Sequence, residues 1–383
     1  MKSIFRSHHF HALIALAVGL VLYHFGQAEA GMGAMLIGAT MPSKAGAVTL
    51  FDIAQGLDPD SKVARTINLL GQTNEILLDM THMEANQPMG HKTSILTGLP
   101  TVTWRKLYGG VPASKATRAN VTDAIGMLEA RSEVDVDAYK LNGNSAAWRL
   151  AEAGPFLEAM NQNMAETLLY GDSSVDPERF TGLTPRYNLL SAGNGGNIID
   201  AGGTGTDNTS VWLIVWGETT ITGIYPKGQV AGLEHRDLGE IDAFDANNDR
   251  YRALADLWKW NNGISLRDWR YVVRIANIDV SDLRAQTGTQ APTAATALMK
   301  LMIRAQGLIP NLGMGRAAFY ANRTVKSFLS VAALDKSNSA IAIVPATNQF
   351  GRVAPGYVQK DTEFFGTPVR TVDRLLNTEA RVV

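Results

Sequence analysis

The chain has no cysteine among its 383 residues, which excludes disulfides, thiolate nucleophiles and zinc–sulfur sites together. It also lacks a surplus of either charge: 35 Lys and Arg stand against 36 Asp and Glu, a formal −1. A protein that grips nucleic acid through many phosphates needs a basic surplus, and the whole-chain total holds none. Histidine is scarce. Of seven, His8, His9, His11 and His24 lie near the start, leaving His82, His91 and His235 far apart. Such scatter suggests no base held by a third group, and each of the three is expected at the surface or in a turn. What the chain does have is ordinary globular material, 45% hydrophobic and 19% charged, with 36 glycines to supply turns. Its length gives room for one large domain or roughly two to three ordinary ones.

The first forty residues read differently from the rest. Lys2 and Arg6 precede an apolar run from Ala12 to Tyr23, and Ala28-Glu29-Ala30 is a small-x-small site. That is the layout of a secretory signal. The run is short for a membrane span. The competing reading is an upstream start codon, with the working chain beginning at Met41 (or Met32 or Met35), because Gly31–Thr40 has neither amphipathic period nor cap.

Asp60 and Ser61 are placed to cap a helix through Val63, Ile67, Leu70, Leu77 and Met80. From Gly90 to Gly110 strand formers dominate, with Gly98 and Pro100 marking a turn, so an extended two-stranded arm is expected. Thr101, Thr103, Trp104, Arg105, Lys106 and Tyr108 lie on its second limb. A helical segment is expected from Val121 to Ala130. A long helix should run from Asn144 or Ser145 to Gly171, carrying Phe156, Met160, Met164 and Leu168 on one stripe and a kink at Pro155. Asn194–Gly205 reads as a loop. Val211–Trp216 reads as a strand buried on both faces, followed by a second run from Thr219 to Tyr225. Tyr251–Trp260 and Ile264–Ile278 flank Asn261-Asn262-Gly263, a hairpin signal. Helices are expected at Pro292–Gln306 and Arg323–Leu334, and a closing strand at Pro368–Val372. The pattern is mixed α+β.

Motifs with chemistry are absent or broken. Asp245-Ala-Asn247-Asn-Asp249 starts like a calcium loop, but Arg250 stands where Gly is needed and Asp256 where Glu is, so an acidic turn is the better reading. The glycines of 193–205 lack the Gly-Lys-Ser/Thr ending of a phosphate loop. Gly313-Met-Gly315 has no third glycine and no following acid for a dinucleotide. Seven tryptophans suit core or subunit contacts better than base stacking.

Five phrases, in order, resemble one family: Phe180-Thr-Gly-Leu183 after the long helix; Val211–Gly217 leading to Gly223-Ile-Tyr-Pro-Lys-Gly228; Trp269–Asp279; Ala318-Phe-Tyr-Ala-Asn-Arg323; and Phe365-Gly-Thr-Pro-Val-Arg370 with Asp373 and Thr378-Glu-Ala380. Over roughly residues 44 to 383 the chain resembles the major capsid proteins of tailed phages, in the branch found in short-tailed and related phages. The resemblance implies the HK97-type α+β capsid fold. Its parts would be an N-arm at 41–82 after the 1–40 leader, an E-loop hairpin region at 83–135, and a spine helix with peripheral domain at 136–190. A β-rich peripheral and axial region at 191–285 and an axial domain with C-terminal strand at 286–383 would follow. It further implies a non-enzymatic virion protein without cofactor, metal or membrane, assembled in the bacterial cytoplasm. Its partners would be other copies in hexamers and pentamers, scaffold, portal and decoration proteins, and packaged double-stranded DNA read without sequence preference. The six limb residues Thr101 to Tyr108 would be inter-subunit contacts. Some relatives crosslink neighbours through Lys and Asn; Lys92, Lys106 and Lys115 lie in or near the arm, and solvated charges are the reading adopted for them. The same fold builds encapsulin-like nanocompartments, the nearest rival. A different class, an exported β-rich binding protein, rests on the leader alone.

Overall fold

Strand β5 (Asn208–Trp216) organises the protein, because all nine of its residues are buried. Alternate side chains point to opposite faces of a strand. Val211, Leu213 and Val215 therefore enter one apolar cluster, and Trp212, Ile214 and Trp216 enter another. The continuous apolar run expected there is the signature of a strand covered on both sides.

The structure, a computed structural model, describes residues 71–141, 146–245, 247–284, 293–333, 341–345 and 360–383. The leader and the helix start at Asp60 lie outside them. The elements in chain order are α1 (Ile76–Asp79), β1 (His82–Glu84), β2 (Gly90–Gly98), β3 (Thr117–Asp135), α2 (Val136–Leu141) and α3 (Ala146–Tyr170). Then come β4 (Ile198–Asp200), β5, β6 (Ile221–Tyr225), β7 (Leu233–Phe244), β8 (Arg250–Leu266) and β9 (Val272–Asp279). The chain closes with α4 (Val280–Arg284), α5 (Thr293–Leu308), β10 (Arg316–Ala321), α6 (Arg323–Ala333), β11 (Ile341–Pro345), β12 (Lys360–Phe364) and β13 (Thr367–Thr371). Two compact units result. Among the described residues one holds 133–141 and 238–255, and the other holds the remainder.

In the larger unit the strand order is β11-β12-β13-β10-β5-β6-β8-β3-β2, with β9 also on β5 and β4 on β9. On one face α5 contributes Leu298, Met299 and Met302 and α6 contributes Val325 and Leu329 to the first cluster. On the other, α3 lays Met164, Leu168 and Leu169 against Trp212 and Tyr187. Helix α3 is one element across Pro155; Gly154 and Pro155 are both exposed, so the interruption falls on the open side. Burying one Leu or Met in these clusters stabilises by about 1.5–3 kcal/mol. The smaller unit carries the end of β3, α2 and the outer halves of β7 and β8, with the turn between those two strands at 245–249.

Several expectations need correcting. The helix read through Leu77 and Met80 spans only Ile76–Asp79 among the described residues. Val121–Ala130 is strand, not helix: Asp123 and Ile125 are buried while Thr122 and Ala124 are exposed, a period of two. Asn262-Gly263 is no turn, since β8 runs straight through it. A Cβ on Gly263 would sit 2.6 Å from the Ala124 carbonyl oxygen, so glycine serves a close backbone approach there. The hairpin turn lies instead at Asp245–Asp249, where the Asp245 carboxylate accepts the Asn247 and Asp249 N–H groups at 2.8 Å and Asn248 takes φ 69°. The loop expected at Asn194–Gly205 includes β4, parallel to β9.

Candidate assembly surface

The arm leaves the sheet where Gly90 to Leu96 pair with Ala124 to Arg118, and the ladder ends at Gly98 opposite Thr117. Its root is fixed by polar contacts. The Asn86 side chain accepts the Lys92 N–H and donates to the Lys92 carbonyl, both at 2.8 Å. Arg186 donates to the buried Asp123 carboxylate at 2.9 Å, and Arg267 lies 3.1 Å from Nε2 of His91. His91 is thus buried, contrary to the expectation of a surface histidine. Burial and the Arg267 charge hold its pKa below the usual 6.5, with Asp123 opposing.

Beyond Gly98 the arm has no strand until Thr117, so its second limb is β3 and not the segment from Thr101 to Tyr108. That segment forms the tip. Tyr108 takes φ 61°, the Gly109 N–H donates to the Lys106 carbonyl at 3.0 Å, and the Ser114 hydroxyl donates to the Thr101 carbonyl at 2.8 Å. Thr101, Thr103, Trp104, Arg105, Lys106 and Tyr108 are brought together here, and all six are exposed. Trp104 is 101% and Tyr108 96% exposed, with Leu99, Val102 and Leu107 beside them. Large apolar side chains left open in one patch mark an interaction surface. By contrast Trp148, Trp212, Trp216 and Trp258 are buried.

Elsewhere the polar side chains hold the fold. Phe180-Thr-Gly-Leu183 closes the end of α3: the Leu183 N–H donates to the Leu168 carbonyl at 3.0 Å and the Gly182 N–H to the Gly171 carbonyl at 2.7 Å. These bonds occupy carbonyls that a helix end leaves free. Gly171 has no positive φ; a Cβ there would stand 2.6 Å from the oxygens of Thr167 and Phe180. The closing Thr378-Glu-Ala380 places Glu379 beneath β5, 2.9 Å from Arg274, where Ser210 and Tyr170 also donate to its carboxylate. Burial and that carboxylate push the Tyr170 phenol up. Among the described residues no three His, Asp or Glu side chains are grouped to hold a metal, and no helix is long and apolar enough to cross a membrane.

The model of the family "major capsid protein GP7" matches residues 58–383. A chain from the cryo-EM structure of bacteriophage epsilon15 is 33% identical with a TM-score of 0.64, covering 90% of this chain and 99% of that one. A Microbacterium phage Oxtober96 structure is 12% identical with a TM-score of 0.39, covering 59% and 98%. The holo-SrpI encapsulin complex of Synechococcus elongatus is 11% identical with a TM-score of 0.42, covering 63% and 99%. No curated protein matches. The mixed architecture with its large sheet corresponds to the HK97-type phage capsid, and neither the nanocompartment nor the exported-protein reading is favoured. By the span of its family match and its likeness to the epsilon15 chain, this protein belongs to the major capsid protein family and is a subunit of a phage shell.

Proposed function

We propose that the subunit builds an icosahedral shell of hexamers and pentamers around phage DNA by laying its arm across a neighbouring copy. One observation carries this reading: the tip exposes Trp104 and Tyr108 almost completely, and its own subunit does not cover them. An isolated ribbon of this kind is marginal in water and gains order by borrowing surface. Aromatic anchors are the residues that most often dominate such contacts. In this assignment 41–82 is the N-arm, 83–135 the E-loop region, 136–190 the spine helix and peripheral domain, 191–285 the β-rich region and 286–383 the axial domain. Scaffold, portal and decoration proteins are the partners, DNA is enclosed without sequence reading, and assembly proceeds in the host cytoplasm without catalysis or covalent crosslinking.

The test is Trp104→Ala combined with Tyr108→Ala. The isolated subunit should melt at nearly its usual temperature while the yield of shells seen by negative-stain microscopy collapses, each anchor being worth about 2 kcal/mol or more. Unfolding of the isolated subunit would make the tip part of its own core and end this reading.

A further inference from the structure

The near-neutral total hides a separation of charge along the chain. From Lys92 to Thr122 the arm carries Lys92, Arg105, Lys106, Lys115 and Arg118 and no carboxylate. All five are exposed. The smaller unit has the opposite bias: its described residues hold seven carboxylates against three cations, a balance of −4. Strand β7 pairs with β8 alone among the described strands, so none of them covers its other edge. Burial alternates along its outer half, and the exposed face presents Leu238, Glu240, Asp242 and Phe244. That series, apolar, acid, acid, apolar, mirrors Trp104-Arg105-Lys106-Leu107 at the arm tip, which reads apolar, cation, cation, apolar. Two cations already lie at this face: Arg252, 3.4 Å from Glu240 and 3.2 Å from Asp242, and Arg250, 5.5 Å over the Phe244 ring; Arg252 and the two carboxylates each keep about half or more of their side chain exposed. Two carboxylates sharing one open guanidinium retain capacity for further cations.

We infer that the exposed face of β7, at Leu238, Glu240, Asp242 and Phe244, is the docking surface for the arm tip of a second copy of this chain. The inference rests on the arm reading above and adds its partner surface. Such a contact joins two different patches, so it runs head to tail, the kind of contact that builds a ring when its rotation closes. Complementary charge sets register and rejects wrong pairings, because like charges brought together cost several kcal/mol. An exposed contact of this kind is also screened by salt.

The test is a charge exchange in the full chain, with shell yield as the readout and the melting temperature of the unassembled subunit as the folding check. Arg105→Glu with Lys106→Glu, and separately Glu240→Lys with Asp242→Lys, should each lower yield about tenfold or more, and all four together should restore it to within about twofold. If the lysine variant does not fold, Glu240→Gln with Asp242→Asn serves instead; it should lower yield, and unchanged yield overturns the inference. Raising salt from about 0.05 M to about 0.5 M should slow assembly of the unaltered chain. A folded four-fold variant no better than its parents refutes the β7 assignment. If Trp104→Ala with Tyr108→Ala also leaves shells intact, the arm reading itself has failed. If that pair abolishes shells while exchange brings no rescue, only the acidic partner face is wrong.

Discussion

Glu379→Ala should be among the most damaging single substitutions outside the arm. The Arg274 and Glu379 side chains are 2% and 4% exposed. Besides its 2.9 Å contact with Glu379, Arg274 donates to Ser210 Oγ at 3.0 Å and to the Tyr187 carbonyl at 2.8 Å, and it lies over the Trp212 ring at 5.1 Å. Removing the carboxylate leaves the guanidinium buried with no counter-charge, a loss of about 3–5 kcal/mol. The Tyr170 and Ser210 hydroxyls lose their acceptor as well, and each orphaned donor costs about 1–3 kcal/mol, which pushes the total towards the upper end. Against a domain stability of about 5–15 kcal/mol that is a large fraction. Urea unfolding of the unassembled subunit, followed by tryptophan emission with Trp212 as a local reporter, measures it. Arg274→Met with Glu379→Leu removes both charges and should recover most of the loss, since apolar replacements of buried pairs are often neutral or better. A loss below about 1 kcal/mol for Glu379→Ala, or a double variant no more stable than the single, would refute the argument.

Two further perturbations test other parts of the fold. Burial lowers the pKa of His82, against a hydrogen bond from its ring to the Met80 backbone carbonyl, and burial with Arg267 lowers that of His91. Below the usual value of 6.5 the unfolded chain therefore binds more protons, so subunit stability should decline as pH falls through about 6.5, and His91→Gln should flatten the decline. A denaturation series from about pH 8 to 5 that shows the same slope in both proteins would count against this. Gly182→Ala brings a Cβ within 2.6 Å of the Thr167 oxygen and 2.7 Å of the Leu168 oxygen, whereas Gly196→Ala meets nothing within 4 Å. The first should cost about 1–3 kcal/mol in the same unfolding assay and the second far less.

The elements legible in the sequence are those whose burial is simple. Val211–Trp216 is apolar at every position because both faces are covered, and α3, α5 and α6 carry stripes at helical spacing. Pattern reading failed where tertiary contacts override local preference. Val121-Thr-Asp-Ala-Ile reads as helix on its own and becomes a strand by pairing with Gly90–Thr93. Asn262-Gly263 carries turn chemistry, yet Asn262 is buried beside Met164 and the glycine admits a crossing backbone. Strand β7 is mostly polar with Gly239 in its midst, and pairing with β8 gives it order. The arm is legible from its β-formers and aromatics, although its return limb begins at Thr117, some fifteen residues beyond the segment whose residue types suggest it. The β7 face is not, because its meaning depends on a charge pattern held in a distant segment.

The long-range closure of the sheet also fixes an order of events during synthesis. Residues near the start of the described chain are held by residues near its end: the Glu75 N–H donates to the Thr371 carbonyl at 3.1 Å, and β10 needs β13 beside it. The larger unit therefore cannot close until the strand around Thr371 has left the ribosome. At ~5–20 residues per second, translating from Asp123 to Val383 occupies on the order of 10–50 s. Throughout that interval the arm, already made and aromatic at its tip, is offered to solvent by a chain with no finished body. On the proposed role of the arm, nascent shell protein is adhesive before it is folded, and expression at reduced temperature or with added chaperone should raise the soluble fraction more for this chain than for a variant lacking Trp104 and Tyr108.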